Sequence, residues 1–159
     1  LLEHYQVIHQ TGEANLLWMR KRAAGVLAGH AHPDRYRPYG FLDAKSLRVA
    51  AKGTTLIISR AGSTIFEIAL WGKASILIPL AIARNDHQSK NAYSYARTGA
   101  TMVIEEQNLK PALLFSVITS IMTNEEKLHQ MEESARAFTK TDAAEKIAAA
   151  LLSIVTHHD

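Results

Sequence analysis

The sequence predicts an α/β fold in which a parallel β-sheet is covered by helices on both faces. Three observations lead there. Short apolar runs alternate with stretches of helical spacing all along the first two-thirds of the chain. The runs "TTLIIS" and "SILIP" are nearly continuous in apolar residues, as strands buried on both faces are. Polar elbows containing glycine or amide side chains follow these strands and open the next helix, which is the β-then-α order that right-handed crossovers turn into a parallel sheet. At 159 residues and 47% hydrophobic, the chain is long enough for one buried core and too short for two ordinary ones, so a single domain is expected.

The elements follow in order. Residues 5–9 ("YQVIH") read as a short strand, and residues 12–28 as a helix with Leu16, Leu17, Arg20, Ala23, Ala24 and Leu27 at helical spacing. "HAHPDR" is a loop, and the proline of "YRPYGFL" makes that stretch an edge or irregular strand. Asp43 can cap a helix through Lys52, after which residues 54–59 form a strand and residues 64–71 a helix. Residues 75–79 are the next strand, residues 86–97 a helix with Gly99 just past its end, and residues 101–104 the last strand. Helices complete the chain. Pro111 sits in the first turn of one, Asn124 caps a second whose Leu128, Met131, Ala135 and Phe138 form an apolar stripe, and Thr141 or Asp142 opens an Ala-rich third.

Composition excludes several classes of function. No cysteine is present, which removes disulfides, thiolate metal sites and cysteine nucleophiles. Eighteen Lys and Arg against fifteen Asp and Glu leave a net charge of +3, and no block of five or six like charges marks a nucleic-acid arm or a membrane patch. The most apolar run, residues 74–83, is about half of the ~20 residues that span a bilayer, and Pro79 interrupts it. The first residues lack the charged-then-apolar pattern of a signal peptide, so a cytoplasmic protein is expected.

In a sheet of this kind ligands bind outside the carboxyl ends of the strands, where elbows and helix N-termini converge. The elbows at residues 9–12, 59–64 and 83–88 are therefore expected on one rim. Gly62, Ser63 and Thr64 open a helix whose first amides and dipole suit an anion such as a phosphate. Thr64 with Glu67 three residues on is equally a capping box. Glu67 lies beside Ile65, Ile68 and Ala69, which supply a buried face while the carboxylate stays near the rim, one turn from a phosphate site and able to accept both hydroxyls of a ribose. Asp86, His87, Gln88 and Asn91 bring carboxylate, imidazole and amide groups to the next elbow, the donor and acceptor mixture a sugar requires. Asp86 is also a plain N-cap, and His87 either a solvent-facing loop residue or a base without an identifiable partner.

Other candidates carry less. His30 and His32 lack a third ligand at metal-site spacing. Ser59 and Ser63 lie outside any nucleophile elbow, and neither a dinucleotide fingerprint nor a P-loop string occurs. Trp18 and Trp71 fall in helices and read as packing residues.

Taken together, "HQTG" at His9, "YGFLD" at Tyr39, "SRAGSTIFEIALWG" at Ser59, "ILIPL" at Ile76, "DHQSKNA" at Asp86 and "TGATMVIEE" at Thr98 stand in an order that resembles the MurG family. These are the UDP-N-acetylglucosamine transferases that convert lipid I to lipid II in peptidoglycan synthesis. The likeness extends over essentially the whole chain and is to the C-terminal half of that family. It implies a GT-B architecture, two Rossmann-like domains with a cleft between them, of which this would be the donor domain without its usual first strand. The backbone near Leu42, beside Phe41, would face uracil. Gly62, Ser63 and Thr64 would offer amides or hydroxyls to the diphosphate, Glu67 would hold the ribose, and Gln88 with Asp86, His87 and Asn91 would read the sugar.

The resemblance also implies an Arg-to-Glu interval one residue longer than Arg60 to Glu67, hence a tighter turn here. The catalytic base and lipid I would belong to an N-terminal acceptor-binding domain or subunit that this chain lacks, leaving no catalytic residue on it. No metal, cofactor or nucleic acid is implied, and the protein is expected to be cytoplasmic or peripheral on the inner face of the plasma membrane. Two other readings stand beside this one: a non-catalytic module docking on a separate glycosyltransferase half, and the donor domain of another GT-B enzyme such as a UDP-N-acetylglucosamine epimerase.

Overall fold

A computed structural model describes residues 1–80 and 87–139, which form two compact units, Leu1–Thr54 and the part from Thr55 onward. The expected last helix from Thr141 or Asp142, and Asp86 itself, lie outside the described residues.

In the first unit β1 (Val7–Gln10) leads into α1 (Glu13–Val26), a short 3-10 turn over Pro33–Arg35, β2 (Tyr36–Tyr39) and α2 (Ala44–Gly53). The strands pair in parallel, Val7 beside Tyr36 and His9 beside Pro38. Pro38 cannot donate to a ladder, and β2 has only β1 as a neighbour among the described residues, as an edge strand should. The first strand starts two residues later than the apolar pattern suggests, because the amides of His4 and Tyr5 fold back onto the carbonyl of Leu1. Asp43 caps α2 as expected, accepting from the Ser46 amide at 2.7 Å. Hydrogen bonds from the Ser46 amide and then its hydroxyl hold the Asp43 carboxyl below the usual carboxylate range.

The expected stripe of α1 needs correction. Leu16, Met19, Ala23 and Leu27 are the half-buried side chains, whereas Leu17 and Trp18 stand in solvent. Trp18 is therefore no packing residue. The arginine one turn on, Arg22, lies over its ring at 5.5 Å instead.

The second unit runs β3 (Leu56–Ser59), α3 (Thr64–Leu70), β4 (Ala74–Leu77), α4 (His87–Ala96), β5 (Thr101–Val103), α5 (Pro111–Met122) and α6 (Glu125–Phe138). Its sheet is parallel in the order β3-β4-β5, so the expected strands form two parallel sheets, one in each unit. Register sets Ile57 beside Ser75 and Leu77 beside both Ser59 and Val103, which puts Ile57, Leu77 and Val103 on one face. Against that face pack Ile65, Ile68 and Ala69 of α3, Ala92 and Tyr95 of α4, and Ala135 and Phe138 of α6. Every residue of β4 is buried, which explains its nearly continuous apolar run, interrupted only by Ser75. Trp71, unlike Trp18, packs against this core.

Asn124 caps α6 by accepting from the Lys127 amide at 2.9 Å. The tight return from α3 into β4 needs glycine at position 72. Its φ is +61°, and an added Cβ would stand 2.6 Å from Cγ of Arg136 on α6. Burial of Ile68, Ile76, Leu77 and Ile121 contributes about 1.5–3 kcal/mol each, so the hydrophobic stabilisation is concentrated in this unit.

Candidate functional site

Three elbows leave the carboxyl ends of β3, β4 and β5, and side chains tie them together. Arg60, just past β3, donates from Nη1 to the Ile78 carbonyl at 3.3 Å and from Nη2 to Oε1 of Glu106 at 2.6 Å. Ile78 follows β4, and Glu106 opens the 3-10 turn after β5, so one guanidinium spans all three strand ends. Glu105, its neighbour, accepts from the Tyr93 hydroxyl of α4. The fixed planar fork of arginine suits such a bridge better than lysine would.

Within the β3 elbow the sequence left two readings of Thr64 and Glu67, and the geometry removes one. Ser63 rather than Thr64 is the N-cap of α3, and it makes no side-chain cap hydrogen bond. Its dihedrals, φ −59° and ψ −23°, are already helical, whereas a capping hydroxyl needs an extended backbone to reach the amides ahead of it. The capping box is thus absent. Among the described residues the Ser63 and Thr64 amides have no carbonyl partner, and the exposed Glu67 carboxylate has no hydrogen-bonding or ionic partner. Ile65, Ile68 and Ala69 are buried beneath it, as the spacing predicts.

Gly62 does not require its glycine for conformation, since it is not among the glycines of positive φ. A Cβ there would meet nothing within 4 Å. The open side of the elbow is thus free for a ligand to approach the backbone.

On α4, His87 is exposed. Gln88 accepts from the Leu80 amide at 2.9 Å through Oε1, and Asn91 donates to the Ala61 carbonyl at 3.5 Å. Both amides therefore brace the elbows, Gln88 that after β4 and Asn91 that after β3. A side-chain amide bound through one atom keeps its other atom for a ligand.

The first unit has its own paired elbows. Thr11, after β1, donates to the Tyr39 carbonyl at the end of β2 from its amide at 2.8 Å and from its hydroxyl at 3.1 Å. Gln10 accepts the Leu42 amide at 2.9 Å, so of the Leu42 backbone groups only the carbonyl is left to address a base. Phe41 projects into solvent, 67% exposed. Gly12 holds φ +79° between β1 and α1, a turn only glycine makes without strain. His9 meets the Tyr36 hydroxyl through Nδ1 at 2.7 Å. Burial pushes the Tyr36 phenol up, which keeps the hydroxyl protonated at neutral pH.

His30 and His32 lie in the loop as expected, the His30 ring accepting from the His32 amide and standing 3.4 Å from Glu3. Among the described residues no group of three metal-ligating side chains occurs, and no helix is long and apolar enough to cross a membrane. The residues that sequence reasoning missed are Arg60, Tyr93, Glu105 and Glu106. The only signal available was the acidic pair directly after the last strand, which does not reveal its partners.

A family model described as the glycosyltransferase family 28 C-terminal domain matches residues 1–147. Curated proteins named UDP-N-acetylglucosamine–N-acetylmuramyl-(pentapeptide) pyrophosphoryl-undecaprenol N-acetylglucosamine transferase are similar to nearly the whole chain. The one from Listeria welshimeri is 40% identical over 95% of this chain, and the one from Desulfotalea psychrophila 33% identical over 96%. The chain spans 40% of the length of each. Among solved structures, Acinetobacter baumannii MurG superposes with a TM-score of 0.76 at 25% identity, covering 93% of this chain and 41% of its own. A structure titled putative UDP-N-acetylglucosamine 2-epimerase from Listeria monocytogenes shares the fold at a TM-score of 0.66 and 19% identity, covering 97% of this chain and 37% of its own.

Proposed function

This chain belongs to the glycosyltransferase family 28 C-terminal domains, and on that premise we propose that it binds UDP-N-acetylglucosamine as the donor half of an inverting transferase. The product would be lipid II, formed from a lipid I acceptor held by an N-terminal half; the muramyl-pentapeptide pyrophosphoryl-undecaprenol in the names of its relatives is such an acceptor. The observation that carries this reading is Glu67: an exposed carboxylate at the mouth of the β3 elbow, with no capping role and no partner among the described residues. A charged group left unpaired beside open helix amides suits a nucleotide whose ribose donates two hydroxyls.

In this reading the amides of Gly62, Ser63 and Thr64 take the diphosphate, Glu67 the ribose, and the Leu42 carbonyl beside Phe41 the base. Gln88 and Asn91, already fixed on α4, read the sugar together with His87 and Asp86. The acceptor hydroxyl attacks the anomeric carbon as the bond to the diphosphate breaks. Fixed amides at the elbow stabilise the charge growing on the leaving group without having to reorganise. A base on the acceptor half takes the hydroxyl proton, so this chain alone binds donor without turning it over. It works in the cytoplasm or peripherally at the inner membrane face.

Calorimetric titration with UDP-N-acetylglucosamine, UDP and UDP-glucose tests this. The expected result is selective binding of the first, weakened by Glu67→Ala by about 1–3 kcal/mol, the scale of a charge-assisted hydrogen bond. A folded Glu67→Ala variant that binds all three ligands like the parent overturns the assignment.

A further inference from the structure

We propose that the outward face of α1 docks on an anionic lipid surface. The helix has two apolar sides where one is enough for packing. Leu16, Met19, Ala23 and Leu27 form the half-buried side, and α1 contacts β2. On the opposite side stand Leu17 and Trp18, 67% and 59% exposed, with Lys21 between them on the helical wheel and Arg22 beside Trp18. Val26, 71% exposed, continues the row of Trp18 and Arg22 one turn further, at the margin of this face.

A water-facing helix normally places charge there, not an indole beside a leucine. Basic side chains interleaved with Trp and Leu are what a helix lying in a headgroup layer needs: the indole and Leu17 enter the acyl boundary while lysine and arginine stems reach the phosphates. The Arg22 guanidinium over the indole fits this place, one group apolar and the other anion-seeking.

Charge along the chain points to the same partner. Leu1–Thr54 contains eight Lys and Arg against four Asp and Glu, whereas the rest has ten against eleven. The whole basic excess of the protein therefore belongs to the unit that carries this face. The inference does not rest on the donor reading, since none of these residues belongs to that site.

The test is cosedimentation of the full chain with vesicles of equimolar phosphatidylglycerol and phosphatidylcholine, beside vesicles of phosphatidylcholine alone. Binding to the anionic vesicles only, weakened by salt, is expected. In a Trp71→Phe background the Trp18 emission should move to shorter wavelength on binding. Replacing Arg20, Lys21 and Arg22 by glutamine should weaken binding on the order of a hundredfold, at about 1 kcal/mol for each basic residue near the surface. Trp18→Ser alone, a solvent-facing change that spares the fold, should weaken binding without altering its salt dependence. Failure to bind anionic vesicles, or equal binding by the Trp18→Ser variant, overturns the proposal. So does self-association or RNA binding through Trp18 in place of vesicle binding.

Discussion

The two units solve the same problem with different means. Each has parallel strands whose elbows are braced to each other by side-chain bonds, but in the first unit the braces are neutral, Thr11 to Tyr39 and Gln10 to Leu42. In the second Arg60, ion-paired with Glu106 and bonded to the Ile78 carbonyl, spans three strand ends over a buried core that includes Ile68, Ile76 and Leu77. The first unit has only Gly40 and Ala51 fully buried. Elbow geometry is thus bought locally, by hydrogen bonds, whereas the stability beneath it comes from burial and is unequally shared. The better-anchored unit carries the elbow assigned to the diphosphate, where misplacement by a fraction of an ångström matters most.

The contrast is easiest to break in the cores. Ile68→Ala should cost about 2–5 kcal/mol in urea unfolding, as buried aliphatic truncations do, while Leu17→Ala on α1 should stay within about 0.5 kcal/mol. Comparable losses would mean that α1 packs on something that covers Leu17.

The braces differ next. Glu106→Gln removes the charge but keeps a hydrogen-bonding side chain, and both partners are partly solvated, with side-chain exposures of 48% and 31%. A loss below about 1 kcal/mol is expected, shrinking as salt rises. Gln10→Ala should show no such salt dependence, because its bond to Leu42 involves no full charge. Unfolding curves at low and high salt separate the two cases.

The smallest effect concerns the core itself. The Tyr95 hydroxyl is buried without a partner among the described residues, its ring edge-on to Phe138 at 4.8 Å, and burial pushes its phenol up to about 12. Near neutral pH Tyr95→Phe should be neutral or slightly stabilising, since it deletes an unsatisfied polar atom. Above pH 10 the unfolded chain ionises this phenol before the folded one does, so stability falls between pH 10 and about 12. The phenylalanine variant should lose that part of the alkaline decline, read from melting temperatures across the range.

Sequence alone determined the element order, the parallel pairing and most boundaries, because strand and helix periods and the caps at Asp43 and Asn124 are local features repeated every few residues. It also marked Glu67 and the buried trio around it, and the family likeness that the match over residues 1–147 bears out. Tertiary structure decided the rest. It gave Ser63 helical dihedrals and so dissolved the expected capping box, and it turned Leu17 and Trp18 outward. It also joined Arg60 to Glu106 across 46 positions of sequence. Such outcomes depend on which backbone torsions and distant partners packing imposes, and no local period records either.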